Sequence, residues 1–136
     1  MKTVTLFIIT AAIFLVMDMI WLGYLGKGLY LEKIGTLLRL QGTNIQANIP
    51  AAIIVYFALV SGIVFFVYPL AQGSVLKALG YGAFFGFVTY ATYDFTNLAV
   101  LKDWRWDIAL IDTAWGIFLC GASSALGLAI HSAWTS

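Results

Sequence analysis

Residues 4–26 read VTLFIITAAIFLVMDMIWLGYLG, and how this stretch is read decides the fold. A membrane-crossing helix needs about 20 mostly apolar residues. This run meets that length with one charged side chain, Asp18. Working outward, 49–70, 75–101 and 108–131 have the same character, separated by 27–48, the short turn 71–74 and 102–107. Transmembrane β-strands would show shorter alternating segments, so the runs predict helices. The expected fold is all-α and integral to a membrane: one domain over 1–136, built as a four-transmembrane-helix bundle. Lys2 before an apolar run also resembles a secretory signal. Asp18 and Trp21 interrupt it where a cleavage site would fall, so it reads as an uncleaved first span.

Composition agrees. Hydrophobic residues make up 62% and charged residues 10% of the chain, against roughly 25% charged in an average soluble domain. A soluble protein this small has too much surface to cover with so few charges. The net charge of +1, with its basic residues dispersed, gives no reason to expect nucleic acid. Cys120 is the only cysteine, which excludes an internal disulfide and a cysteine metal cluster, and it reads as a small buried apolar side chain. His131 is the only histidine, so neither a metal site nor a cofactor is expected.

The first loop carries a pattern of its own. Over 28–40, Leu31, Ile34, Leu37 and Leu38 recur at helical spacing, and Glu32, Lys33 and Arg39 supply the polar side. That suits a short amphipathic helix lying in the headgroup plane or capping the bundle. A polar turn over 41–48 follows, and Pro50 opens the second span near its first turn. Gly82-x-x-x-Gly86 and the small residues Gly121, Ala122, Ser124, Ala125 and Gly127 predict close packing of the third and fourth spans.

Lys and Arg set orientation. With four spans, Lys2 and Lys77 share one side, while Lys27, Lys33, Arg39, Lys102 and Arg105 share the other. Loops one and three are therefore expected to be cytoplasmic.

Three acids lie inside the spans: Asp18, Asp94 and Asp112. A charge at mid-bilayer costs several kcal/mol, so each needs a reason to be there. Counted from the ends of their runs at about 1.5 Å per residue, all three fall roughly 6–12 Å below the surface that carries loops one and three. Each also has a polar or aromatic companion three or four residues away on its own helix: Asp18 with Trp21, Asp94 with Tyr90 and Asn97, Asp112 with Trp115. Tyr93 flanks Asp94. Facing inward, these side chains would form one carboxylate and aromatic pocket. Facing outward, Trp21 and Trp115 would be ordinary interfacial belt residues, and the aspartates hydrogen-bonding glue between helices. Trp104 and Trp106 read as belt residues.

The strings Asp18-Met-Ile-Trp21-Leu-Gly23, Tyr93-Asp94-Phe-Thr-Asn97-Leu98 and Ile111-Asp112-Thr-Ala-Trp115-Gly116 resemble an uncharacterised bacterial family of small four-span membrane proteins, a domain-of-unknown-function family. The resemblance covers nearly the whole chain. It implies four spans in a bacterial inner membrane and supplies no activity.

Function therefore rests on the pocket. Carboxylates among Trp and Tyr rings suit a proton or a lipophilic cation, and point first to a protein that binds or transports a small hydrophobic or cationic ligand, with proton coupling and a homodimer as the natural format. A second reading is a membrane-embedded isomerase or hydrolase on a lipid or isoprenoid-type substrate, with two carboxyls as acid and base. A third is a structural or accessory subunit among membrane lipids. The candidate ligand-binding residues are Asp18, Trp21, Tyr90, Tyr93, Asp94, Asn97, Asp112 and Trp115.

Overall fold

The computed structural model describes residues 2–37, 40–41, 44–45 and 48–135. Helix α1 (Lys2–Ile20) continues through a π-helical turn (Trp21–Leu25), and α2 (Lys27–Ile34) follows with a 3-10 turn (Gly35–Leu37). A two-residue antiparallel ladder then pairs β1 (Leu40–Gln41) with β2 (Asn44–Ile45), Leu40 opposite Ile45. Next come α3 (Ile49–Gly62), a second π-helical turn (Ile63–Val67), α4 (Tyr68–Ala71), α5 (Val75–Val100) and α6 (Trp106–Thr135). Helix thus dominates the described chain. Part of the expected polar turn is a short ladder instead; Leu38, Arg39, Gly42, Thr43 and Gln46 lie outside the described residues.

The helix ends have local causes. Asn48 caps α3 by accepting a bond from the Ala51 amide at 3.2 Å, and Pro50 sits in the first turn, where its missing N–H costs nothing. Ser74 caps α5 in the same way through the Lys77 amide. Between α4 and α5 the chain reverses through Gln72 (φ 52°) and Gly73 (φ 79°), a left-handed pair that ends one helix and frees the next.

Three segments are long and apolar enough to cross a membrane: Lys2–Leu25, Ile49–Ala71 and Trp106–Trp134. The remaining expected span, the third along the chain (75–101), corresponds to α5. Its 26 residues reach about 39 Å, enough to cross, but Lys77, Asp94 and its many glycines, threonines and tyrosines dilute its apolar character.

Helices α5 and α6 form the tightest pair, and the small residues explain it. A Cβ on Gly86 would collide with the Gly116 carbonyl oxygen. One on Gly82 would lie 2.7 Å from the Cys120 carbonyl oxygen and 2.5 Å from the Ser124 hydroxyl oxygen. The main core lies where α1, the end of α3 with the π-helical turn after it, α5 and α6 meet, around Phe14, Ile63, Val67, Leu119 and Cys120. A buried Thr10–Tyr68 hydroxyl pair (2.6 Å) crosses that core over Gly127. A smaller cluster seats α2 on the start of α6: Tyr30, Ile34 and Ile108, with Trp21 and Trp104 against them. The covering residues of α2 are thus Tyr30 and Ile34, four apart, whereas Leu37 is exposed. Trp104, expected in the belt, packs into this cluster and against Tyr93 (5.9 Å); Trp106 is exposed.

Candidate functional site

Near the loop-one end of the helices, two acids are held by donors from other elements. The Asp18 carboxylate is buried and accepts from the Tyr56 hydroxyl of α3 (2.6 Å) and the Trp115 indole N–H of α6 (3.1 Å). Asp112 accepts from the Tyr30 hydroxyl of α2 (2.6 Å), whose oxygen in turn accepts from the Trp21 indole N–H (3.0 Å). The two networks meet where Trp21 stacks on Trp115, with centroids 4.7 Å apart and planes 10° from parallel. One chain of contacts thus runs from α3 through α1 and α6 to α2.

The expected pairings along single helices are not the ones that form. Trp21 does not bond Asp18, and Trp115 does not bond Asp112. Trp21 opens the π-helical turn, where the Gly26 amide reaches back five residues to the Trp21 carbonyl (2.7 Å). That wider turn breaks the three-to-four spacing on which the pairing argument relied. Both indoles reach across helix interfaces instead.

Asp94 is different. It is fully buried, and neither carboxylate oxygen has a hydrogen-bond partner among the described residues. Asp112 and Thr113 of α6 lie beside it, close enough to interact with its carboxyl, and the Thr113 hydroxyl is buried too. Tyr90 does not bond Asp94; its ring packs over Gly116, where a Cβ would strike it. Tyr93 is 56% exposed and turns to Trp104, and Asn97 is half-buried. Asp18, Trp21, Asp112 and Trp115 are therefore joined directly, Asp94 and Tyr90 lie against them, and Tyr93 and Asn97 stand at the edge.

Two participants escape sequence reasoning: Tyr30 and Tyr56. Tyr56 had a signal, since it lies seven residues into its run as Asp18 lies eight from the end of its own, at matching depth. Tyr30, in the loop helix, had none beyond its spacing of four from Ile34. Burial first, and the Asp112 charge beside it second, push the Tyr30 phenol well above its usual range, so it remains a donor. At the rim, Lys33 of α2 bonds Asp107 at 2.6 Å and Arg105 approaches it at 3.1 Å. Arg105 and then Lys33 hold that carboxyl well below the usual range.

A crevice of about 630 Å³ lies alongside, between α1 and the first half of α3. Its lining is apolar apart from Tyr56 and, at the loop-one end, Lys27. Among the described residues no group of three or more His, Cys, Asp or Glu side chains is arranged to hold a metal ion.

Residues 3–129 match the family described as Predicted membrane protein (DUF2177). The chain belongs to this family. No curated protein and no solved structure matches it. Family membership and the apolar helices together make it a predicted multi-pass membrane protein.

Proposed function

We propose that the chain is a four-span bacterial inner-membrane protein that binds, and exchanges across the bilayer, a proton or a small lipophilic cation at its carboxylate layer. The observation that carries this reading is Asp94: buried, flanked by a second carboxylate, and paired with no cation among the described residues. An unpaired buried carboxylate is costly, and a proton or a cation is its natural complement. Among the described residues no Lys or Arg pairs with Asp94 to fill that role. The surrounding rings of Tyr90, Trp21 and Trp115 add a favourable face for a cation.

Helix α5 serves as the third of the four spans, supported by its length and its close packing on α6. Loops one and three face the cytoplasm on the strength of their five Lys and Arg residues against two opposite. Four spans are few for a carrier, and a homodimer is the expected unit.

The test is Asp94→Asn, with tetraphenylphosphonium binding to purified protein as the readout. The substitution keeps shape and hydrogen-bonding capacity, so stability should stay within about 1 kcal/mol, while binding falls by roughly tenfold or more. Equal binding by both proteins at every pH tested would reduce the layer to structural glue. No binding by the wild type would exclude lipophilic cations.

A second reading has one observation in its favour. The Tyr56–Asp18 pair borders the apolar crevice, a position suited to acid–base chemistry on a lipid substrate. Turnover of a lipid that is lost in Tyr56→Phe and kept in Asp94→Asn would favour the enzyme.

A further inference from the structure

Helices α5 and α6 meet in a regular antiparallel register. Gly82 lies against Ser124, Gly86 against Cys120, and the Tyr90 ring over Gly116. Each step of four residues forward on α5 matches a step of four back on α6. One turn further, the same register sets Asp94 opposite Asp112, and the two carboxyls are close enough to interact. Asp94 is fully buried at that point, and as an ion it has no hydrogen-bond partner on either oxygen among the described residues.

We propose that Asp94 and Asp112 form one site that holds a single proton, carried by Asp94 and accepted by Asp112, and trades it one for one for a monovalent cation. The trade rests on the cation reading given above. The shared proton stands apart from it.

The proton count follows from charge. Two ionised carboxyls side by side and out of water repel each other, and having only acceptors, neither can donate to the other. The ion pairs of the described residues leave this unrelieved, because Lys33 and Arg105 both go to Asp107 at the rim. One proton removes one of the two charges and supplies the missing donor.

The two acids are not equivalent, and the difference places the proton. Asp112 already accepts from the Tyr30 hydroxyl at 2.6 Å, and a bond of that kind favours the ionised form. Asp94 is therefore the neutral partner, its O–H directed at Asp112. The other titratable groups around the pair do not compete for the proton. Asp18 of α1 takes its bonds from Tyr56 and Trp115, and Tyr30, Tyr90 and Tyr93 are phenols, neutral at physiological pH.

The trade conserves charge. With its proton the pair carries one negative charge. With the proton released to water and a monovalent cation held between the two carboxylates, it carries one again.

The test is infrared spectroscopy of the full chain in detergent at neutral pH, with aspartate isotope-labelled at the side-chain carboxyl to separate its bands from Glu32. Asp94→Asn should remove one protonated equivalent from the wild-type spectrum. Adding Asp112→Asn to that variant should remove no more. Tyr30→Phe should keep the count and shift the band, because Asp112, short of one donor, draws harder on the Asp94 proton. The shared proton is overturned by a wild type without protonated aspartate, by a band that survives Asp94→Asn, or by two equivalents lost in the double variant. An unmoved band in Tyr30→Phe overturns it as well, and this reading holds even if Asp94→Asn folds poorly. For the trade, tetraphenylphosphonium added in unbuffered solution should release one proton per cation bound, and binding without release overturns it. No binding at all would sink the cation reading, while the infrared count would still decide the pair.

Discussion

Trp21 and Trp115 lie face to face, 4.7 Å between ring centroids, yet their N–H groups serve different acids. Trp115 donates to Asp18, and Trp21 donates to Tyr30, which donates to Asp112. The stack is the joint between the two hydrogen-bonded networks, one ending on α2 and the other on Tyr56 of α3.

Trp115→Phe tests the joint. It keeps an aromatic face for the stack and removes one of the two donors to Asp18. Interhelical hydrogen bonds in membranes are worth about 0.6 kcal/mol on average and up to about 1.7 kcal/mol, so a loss within that range is expected in thermal unfolding of the purified protein. Trp21→Phe should cost less, because Tyr30 keeps its bond to Asp112. The reverse order would place the anchor in the α2 network rather than at Asp18.

The close approach of α5 and α6 makes a sharper prediction. Gly86→Ala drives a Cβ into the Gly116 carbonyl oxygen, a backbone atom that cannot swing aside. A cost of about 1–3 kcal/mol is expected for such overpacking. Gly80→Ala, six residues earlier on the same helix, meets nothing within 4 Å. It should be neutral or stabilising by up to about 1 kcal/mol, since alanine is the better helix former. Thermal midpoints of the two variants in one detergent decide the matter.

Much of this was legible from 4–26, 49–70, 75–101 and 108–131, because lipid forces an apolar run to declare itself in sequence. The packing glycines were legible for the same reason: Gly82 and Gly86 recur on one face of one helix. The depth of the three acids could be counted, but their partners could not. The pairing rule of three or four residues assumes an unbroken α-helix, and Trp21 begins a π-helical turn that defeats it. Tyr56 and Tyr30 come from other elements, and spacing within one helix carries no information about them. The ladder of Leu40–Gln41 with Asn44–Ile45 is too short for a periodicity to reveal.

Whether α5 crosses the membrane can be settled with single cysteines on a Cys120→Ala background. Glu32, Ser74 and Asp103 fall in the first, second and third loops. With four spans, Glu32→Cys and Asp103→Cys should react with an impermeant thiol reagent from the cytoplasmic side and Ser74→Cys from the other. Asp103 labelling together with Ser74 would mean that α5 does not cross. Labelling of Glu32→Cys from outside would invert the orientation.

The last prediction concerns the hold of α2 on the rest of the protein, which adds to its apolar cluster two bonds of opposite pH behaviour. Tyr30 to Asp112 (2.6 Å) uses a phenol pushed above its usual range by burial, so that donor persists through neutral pH and beyond. Lys33 to Asp107 (2.6 Å) uses a carboxyl held below its usual range by Arg105 and Lys33. A group whose folded-state pKa lies below its unfolded value adds stability above the unfolded pKa and forfeits it as pH falls through the folded one. Protection of the α2 amides against hydrogen exchange, after correction for the intrinsic rate, should therefore be flat from neutral pH down to about 4 and decline below. In Asp107→Asn the protection should start lower and show a weaker acid decline, since the group that titrates is gone. Tyr30→Phe should lower protection at every pH and leave the acid decline in place. Identical acid profiles in the wild type and Asp107→Asn would show that Asp107 does not hold α2 down.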